Sequence, residues 1–254
     1  MNRPRVASVS YLNAKPLIEG LEAEVELFLD VPSRLLGGLM AGDFDVALLP
    51  VADVPGVVAA GGKVLPVGGI GCDGPTLTVR LFAGGPLAET KRLWCDTDSH
   101  TSVQLARVVL REVYGVSPET VQLPGGRWRE AAVREGDAVL LIGDKVITDT
   151  PGSAHRFGVE TDLGDEWKRL TGLPFVFAVW TARPGYDGGA VSQVLRRARE
   201  RGMAGVEGIV ARYAGVHHWP AEVARRYMTE YLRYEVGERE LGAMGLFWRK
   251  AGLV

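Results

Sequence analysis

At 254 residues the chain is longer than one average domain and shorter than two, so a single large α/β domain or a pair of interleaved lobes is expected and a stapled mini-protein is excluded. Hydrophobic residues make up 46% and charged residues 24%, a balance that supports a buried core rather than disorder. The 29 Lys and Arg against 31 Asp and Glu leave a formal charge of -2, without the basic excess needed to neutralise phosphates, so nucleic acid is not an expected partner.

The first predicted element is a strand over Val6 to Ser10, preceded by Arg3 and Arg5. Its short apolar run lacks the stretch of roughly 7 to 15 apolar residues of a secretory signal, and no later window approaches the roughly 20 needed to span a bilayer. A cytoplasmic protein without a membrane partner is expected. Further strand-like runs follow at Val25 to Asp30, Val46 to Leu49, Leu77 to Phe82, Arg92 to Cys95, Val139 to Ile142 and Phe175 to Thr181. Most are continuous apolar runs, which suit strands covered on both faces. Between them, the stripe Leu35, Leu36, Leu39 and Met40 predicts a helix from Pro32-Ser33 to Gly42. Val103, Ala106, Val109, Leu110 and Val113 predict another, from Thr101-Ser102 to Gly115. The last third reads as helices over Ala190 to Arg212 and Ala221 to Glu235.

This order predicts an α/β fold of two lobes. Residues 1–84 and 183–254 would form a discontinuous first lobe, and residues 85–182 an inserted second lobe. The chain would cross near Phe82 to Glu89 and near Trp180 to Tyr186, with Gly84-Gly85 and Gly185 absorbing any hinge rotation. The surplus of glycine, 33 residues spread along the chain, is read as many tight turns.

The absences restrict the chemistry. No G-x-G-x-x-G, phosphate-binding loop, G-x-S-x-G elbow or H-E-x-x-H occurs, so dinucleotide, NTP and standard serine or zinc hydrolase chemistry lose support. Cys72 and Cys95 are too few for a disulfide framework or a zinc site and are expected to be half-buried, inert thiols. His100, His155, His217 and His218 are expected to be surface or satisfied residues, and the adjacent pair to be poor joint metal ligands. The Tyr213, Tyr227, Tyr231 and Tyr234 series and Trp219 are expected in the core or at a subunit contact.

What remains is polar, largely uncharged and placed at strand ends, where ligands of α/β sheets sit. Ser8 to Pro16 carries Ser10, Tyr11 and Asn13; Ser10 or Asn13 could equally cap the short helix that Pro16 starts. Asp96 to Ser102 carries Ser99, His100, Thr101 and Ser102 at a helix N-terminus, where unpaired N–H groups favour a carboxylate. Leu140 to Lys145 offers Gly143, which lets a ligand approach the backbone, and Asp144. Thr76 and Thr78 lie at the start of the fourth predicted strand.

Together these segments resemble the chorismate dehydratases of the futalosine route to menaquinone. The resemblance runs over nearly the whole chain. It is carried by Ser10-Tyr11-Leu12-Asn13 with Pro16, by Asp45 to Val51, by Thr101-Ser102 and by Leu141-Ile142-Gly143-Asp144. The most specific matches are Asp162-Leu163-Gly164 with Trp167, then Leu170 to Trp180. The resemblance implies a two-lobed fold of the periplasmic-binding-protein type (type II), with the ligand cleft between the lobes. It also implies loss of water from chorismate to give 3-[(1-carboxyvinyl)oxy]benzoate, a hydro-lyase reaction.

Asn13 matches the family's active-site asparagine, and Thr78 stands where the family usually has a serine. The resemblance therefore implies Asn13 and Thr78 as catalytic residues. Ser10, Tyr11, Thr76, Ser99, His100, Thr101, Ser102, Gly143 and Asp144 would bind substrate. Aromatisation of the ring supplies driving force, so no cofactor or metal is expected. Asp144, His100 or a carboxylate of the substrate could act as base. Monomer and homodimer are both compatible with this pattern. Two rivals remain: a 1,4-dihydroxy-6-naphthoate synthase-like enzyme, whose first loop is expected to be rich in proline and cysteine, and a non-catalytic binding protein for a small carboxylate.

Overall fold

The computed structural model describes residues 3–95, 100–123, 134–148 and 157–254. The chain begins with β1 (Arg5–Ser8), α1 (Lys15–Ile18), β2 (Glu26–Leu29), α2 (Pro32–Ala41), β3 (Val46–Pro50), α3 (Val54–Ala59) and β4 (Lys63–Cys72). It continues with β5 (Val79–Ala83), β6 (Arg92–Cys95), α4 (His100–Glu112), β7 (Glu119–Gln122), β8 (Asp137–Ile142), α5 (Asp144–Thr148), β9 (Val159–Asp162) and α6 (Leu163–Thr171). It returns through β10 (Phe175–Ala182) and ends with α7 (Gly189–Ala204), α8 (Val206–Tyr213), α9 (Ala221–Arg226), β11 (Leu232–Arg233) and α10 (Glu238–Ala251).

These strands form two mixed sheets, in the orders β11-β4-β10-β3-β1-β2 and β7-β6-β8-β5-β9. The fold is thus α/β with two sheet-centred halves. In the first sheet β1 runs parallel to β2 and β3, while β10 inserts antiparallel between β3 and β4. The apolar runs of β1 and β3 are buried, as the unbroken hydrophobic pattern requires when helices cover both faces.

Sheet membership corrects the expected crossings. β5 lies in the second sheet and β10 in the first, so the chain crosses at residues 73–78 and returns through residues 163–174, not at Phe82 to Glu89 and Trp180 to Tyr186. Gly84-Gly85 and Gly185 therefore lie away from both crossings. The two crossings touch each other: a Cβ at Gly164 would stand 2.6 Å from the Gly74 carbonyl oxygen. Lys168 and Arg239 also both pair with Asp73.

β4 escaped the sequence reading because its Gly68, Gly69 and Gly71 look like turn residues. They serve close packing instead. A Cβ at Gly69 would lie 2.6 Å from the Ala178 carbonyl oxygen, and one at Gly71 the same distance from that of Phe175, where β10 runs past with two register shifts. Part of the glycine surplus thus belongs to a strand interior, not to turns.

The long helix expected over Ala190 to Arg212 is broken at Gly205 into α7 and α8. The next one ends at Arg226, where a π turn, Tyr227–Tyr231, leads into β11 against β4. α10 packs Phe247 on Trp167 of α6 and Phe175 of β10, with ring centroids 6.1 and 5.0 Å apart, closing an aromatic cluster beside the return crossing. Both cysteines are fully buried free thiols, and burial pushes the Cys95 thiol up to about 12. No described helix is long and apolar enough to cross a membrane.

Candidate active site

A cleft of about 730 Å³, its open mouth included, lies between the two sheets. Val9, Leu48, Ile70, Val79, Phe177 and Leu232 are among its apolar walls. Its polar lining is Tyr11, Asn13, Thr76, Thr78, Thr101, Ser102 and Tyr227, together with the backbone of Gly143. None of the described lining residues carries a charged side chain. This composition suits a small ring with polar substituents.

Local structure explains the placement. The loop after β1 turns into a 3-10 turn, Leu12–Ala14, that anchors Leu12 and Ala14 in the core and presents Asn13 to the cleft. Alternation along the extended segment turns Val9 and Tyr11 inward and leaves Ser10 exposed, outside the lining. Thr101 and Ser102 occupy the first turn of α4, whose start therefore opens on the cleft. The Thr101 Oγ1 accepts the N–H of Ala52, just beyond β3, at 3.1 Å, so this hydroxyl also joins the two halves.

Thr76 and Thr78 flank Leu77, held at φ 70°, a left-handed conformation that strains a leucine. The Asp162 carboxylate accepts the N–H groups of Thr76 and Leu77 at 2.9 and 2.8 Å while capping α6 through Gly164 and Asp165. Burial pushes the Asp162 carboxyl up, and these N–H donors oppose it. Gly143, at φ 68°, donates its N–H to the Thr78 carbonyl at 2.9 Å, fastening the end of β8 to the same loop.

The Thr78 hydroxyl lies 2.8 Å from the Tyr227 hydroxyl, in a buried contact that links the second half of the fold to the π turn of the first. Asn13 lines the same cleft, and its Oδ1 is buried without a protein partner. Burial drives the Tyr227 hydroxyl well above the usual tyrosine range, so it stays neutral. Its ring stacks on Trp219 at 4.9 Å. Tyr227 is thus both core and cleft lining, where only core or subunit contact was expected. Its sequence signal was a tyrosine at helical spacing, and the π turn that aims it inward leaves no such mark.

Of the expected site residues, Tyr11, Asn13, Thr76, Thr78, Thr101, Ser102 and Gly143 meet at this cleft. Asp144 lines a smaller adjoining pocket with Tyr11, Ile142, Gly143 and Lys145, and its Oδ2 lies 3.0 Å from the Nδ1 of His217. His100 does not face the cleft. As the first residue of α4 it points away from Thr101 and Ser102, is exposed, and pairs with Asp53 at 2.9 Å. Ser99 and His155 lie outside the described residues. Among the described residues no group of three or more His, Cys, Asp or Glu is placed to hold a metal ion.

A family described as menaquinone biosynthesis matches residues 4–252. A curated chorismate dehydratase of Thermus thermophilus is 32% identical, covering 99% of this chain and 96% of the relative. The chain belongs to the menaquinone-biosynthesis family. Solved structures similar to this family member show the fold at lower identity. The Archaeoglobus fulgidus protein AF1704 has a TM-score of 0.76 at 18% identity, covering 99% of this chain and 98% of that one. The sulphonate-binding protein SsuA of Escherichia coli has a TM-score of 0.67 at 17% identity, covering 100% and 91%. The Candida albicans CA3427 product, described as having the generic periplasmic binding protein fold, has a TM-score of 0.68 at 12% identity, covering 100% and 91%. The menaquinone-biosynthesis chain therefore has the periplasmic-binding-protein fold expected from its motifs.

Within this family member the most specific motif is architectural. Asp162 caps α6, Gly164 admits the Gly74 backbone, and the Trp167 indole N–H donates to the Pro174 carbonyl at 2.9 Å. The motif builds the return crossing and, through Asp162, holds the loop that carries Thr76 and Thr78.

Proposed function

We propose that the chain is a carbon-oxygen lyase that removes water from chorismate to give 3-[(1-carboxyvinyl)oxy]benzoate, acting in the cytoplasm in menaquinone biosynthesis. The observation that carries this reading is the uncharged cleft in which Asn13 and Thr78 face the hydroxyls at the start of α4 across apolar walls. A receptor needs only to hold a carboxylate. This cleft adds an unpartnered amide oxygen and a paired hydroxyl beside it.

Chorismate must lose a ring proton beside the ether oxygen and the neighbouring hydroxyl, after which the ring is aromatic. In our reading one carboxylate sits at the N-terminal turn of α4, where the Thr101 and Ser102 hydroxyls lie on the cleft and the helix dipole favours negative charge by roughly 0.3–1 kcal/mol. The walls formed by Ile70, Val79 and Phe177 take the ring and exclude water. Asn13 and Thr78 hydrogen-bond the departing hydroxyl as charge grows on its oxygen. No described side chain lining the main cleft is a strong base, so a carboxylate of the substrate takes the ring proton, and the protein contributes chiefly by orientation. Gly143 would let the substrate lie close to the end of β8.

Incubation of the purified protein with chorismate tests this. We expect the ultraviolet change of aromatisation and a product lighter by one water in the mass spectrum. Saturable binding of chorismate without turnover would replace the dehydratase by a carboxylate-binding protein.

A further inference from the structure

The buried hydroxyl of Tyr227, from the π turn of the first half of the fold, meets the Thr78 hydroxyl before β5 at 2.8 Å. A phenol has one proton to give and an oxygen that accepts. The buried tyrosine proton then needs an acceptor, since leaving it unmet costs about 1–3 kcal/mol. Among the described hydrogen bonds that acceptor is the Thr78 Oγ1, at 2.8 Å. Thr78 is left with its own proton to point elsewhere.

We infer that Tyr227 is a positioning residue of the site, fixing Thr78 as a hydrogen-bond donor toward the substrate. The inference rests on the dehydratase reading and specifies its polarity. The departing ring hydroxyl fits this polarity, since its oxygen accepts from Thr78. As the C–O bond breaks, negative charge grows on that oxygen and the Thr78 contact strengthens, so the effect belongs to the transition state more than to binding. Tyr227 neither gains nor loses a proton in the reaction. Its burial keeps it neutral, and stacking on Trp219 holds the ring in place.

The polarity predicts how variants behave. Tyr227→Phe deletes only the hydroxyl and is expected to lower kcat about 10- to 100-fold, with KM within about threefold of the wild type. Combined with Thr78→Ala, it should slow the reaction no further than Thr78→Ala alone, within about threefold, because Tyr227 acts through Thr78. Thr78→Val keeps the tyrosine ring but removes both the acceptor of its proton and the proton that Tyr227 directs, so it tests the same point should Tyr227→Phe fail to fold. A fall in kcat comparable to that of Tyr227→Phe is expected. The wild type is assayed alongside. If it does not turn over chorismate, the dehydratase reading falls and takes this inference with it. If it is active, full kcat in Tyr227→Phe or Thr78→Val, or a multiplicative loss in the double variant, overturns the inference and leaves the reading intact.

Discussion

Asp162 accepts the backbone N–H of Leu77 at 2.8 Å, and Leu77 sits at φ 70°. The carboxylate that caps the helix leaving the second sheet therefore holds the strained residue between two threonines of the cleft. A left-handed leucine costs roughly 1–2 kcal/mol, and such strain persists only where its surroundings over-determine it. Leu77→Ala and Leu77→Gly remove the same packing and differ in how well they tolerate this conformation. Leu77→Gly is expected to be the more stable of the two by about 1 kcal/mol in urea unfolding. Equal stabilities, or a more stable alanine variant, would show that the position carries no strain.

Asp162→Asn separates anchoring from capping. The asparagine oxygen can still meet the N–H groups on one side, but its NH2 group opposes a backbone donor on the other. A loss of about 1–3 kcal/mol is expected, lowering Tm by several degrees for a chain of this size. Since the affected donors belong to Thr76 and Leu77, kcat should fall as well, measured at a temperature where the variant remains folded. A destabilised variant with unchanged kcat would confine Asp162 to the helix cap.

Much of this arrangement was legible in the sequence because it rests on local chemistry. Polar residues at the carboxyl end of β1 and at the start of α4 marked Asn13, Thr101 and Ser102, and the apolar run Arg92–Cys95 marked β6 to the residue. The parts that were missed depend on contacts distant in sequence. β4 reads as turns until β10 is laid against its glycines. The crossings were displaced because Gly and Pro after a strand mark any turn, whereas strand pairing decides which sheet a segment joins. Ser10 and His100 belong to segments that line the cleft but turn away from it, since one residue of strand or helix reverses or rotates a side chain. Tyr227 lies 149 positions from its partner Thr78, beyond any motif.

Thr101 ties the start of α4 to Ala52, beyond β3, and this predicts a role in closing the cleft. Thr101→Val keeps the shape and removes the acceptor, leaving the Ala52 N–H without it whenever the halves approach. The expected result is a KM for chorismate raised about 5- to 30-fold, with a larger radius of gyration by small-angle X-ray scattering in the absence of ligand. Thr101→Ser retains the oxygen and should restore both values. If Thr101→Val matches the wild type in KM and radius, the contact does not govern closure.

Acid stability depends on a pair in the second sheet. Asp137, at the start of β8, is buried, which by itself would raise its carboxyl. The paired bonds from Arg92 at 2.8 and 3.0 Å and the Arg134 N–H at 3.1 Å outweigh burial and hold it below the usual range. A carboxyl held lower in the folded than in the unfolded state adds stability that is fully present above the unfolded value, about 3.9. That contribution is lost as pH falls through the folded value. Asp73, held down by Lys168 and Arg239, acts in the same direction. Urea midpoints measured from about pH 6 down to about pH 2 should therefore fall most steeply at the acid end. Asp137→Asn should be less stable near pH 7, because Arg92 loses its charged partner, and its acid limb should be shallower. Parallel curves for the two proteins across this range would remove Asp137 as a source of the acid sensitivity.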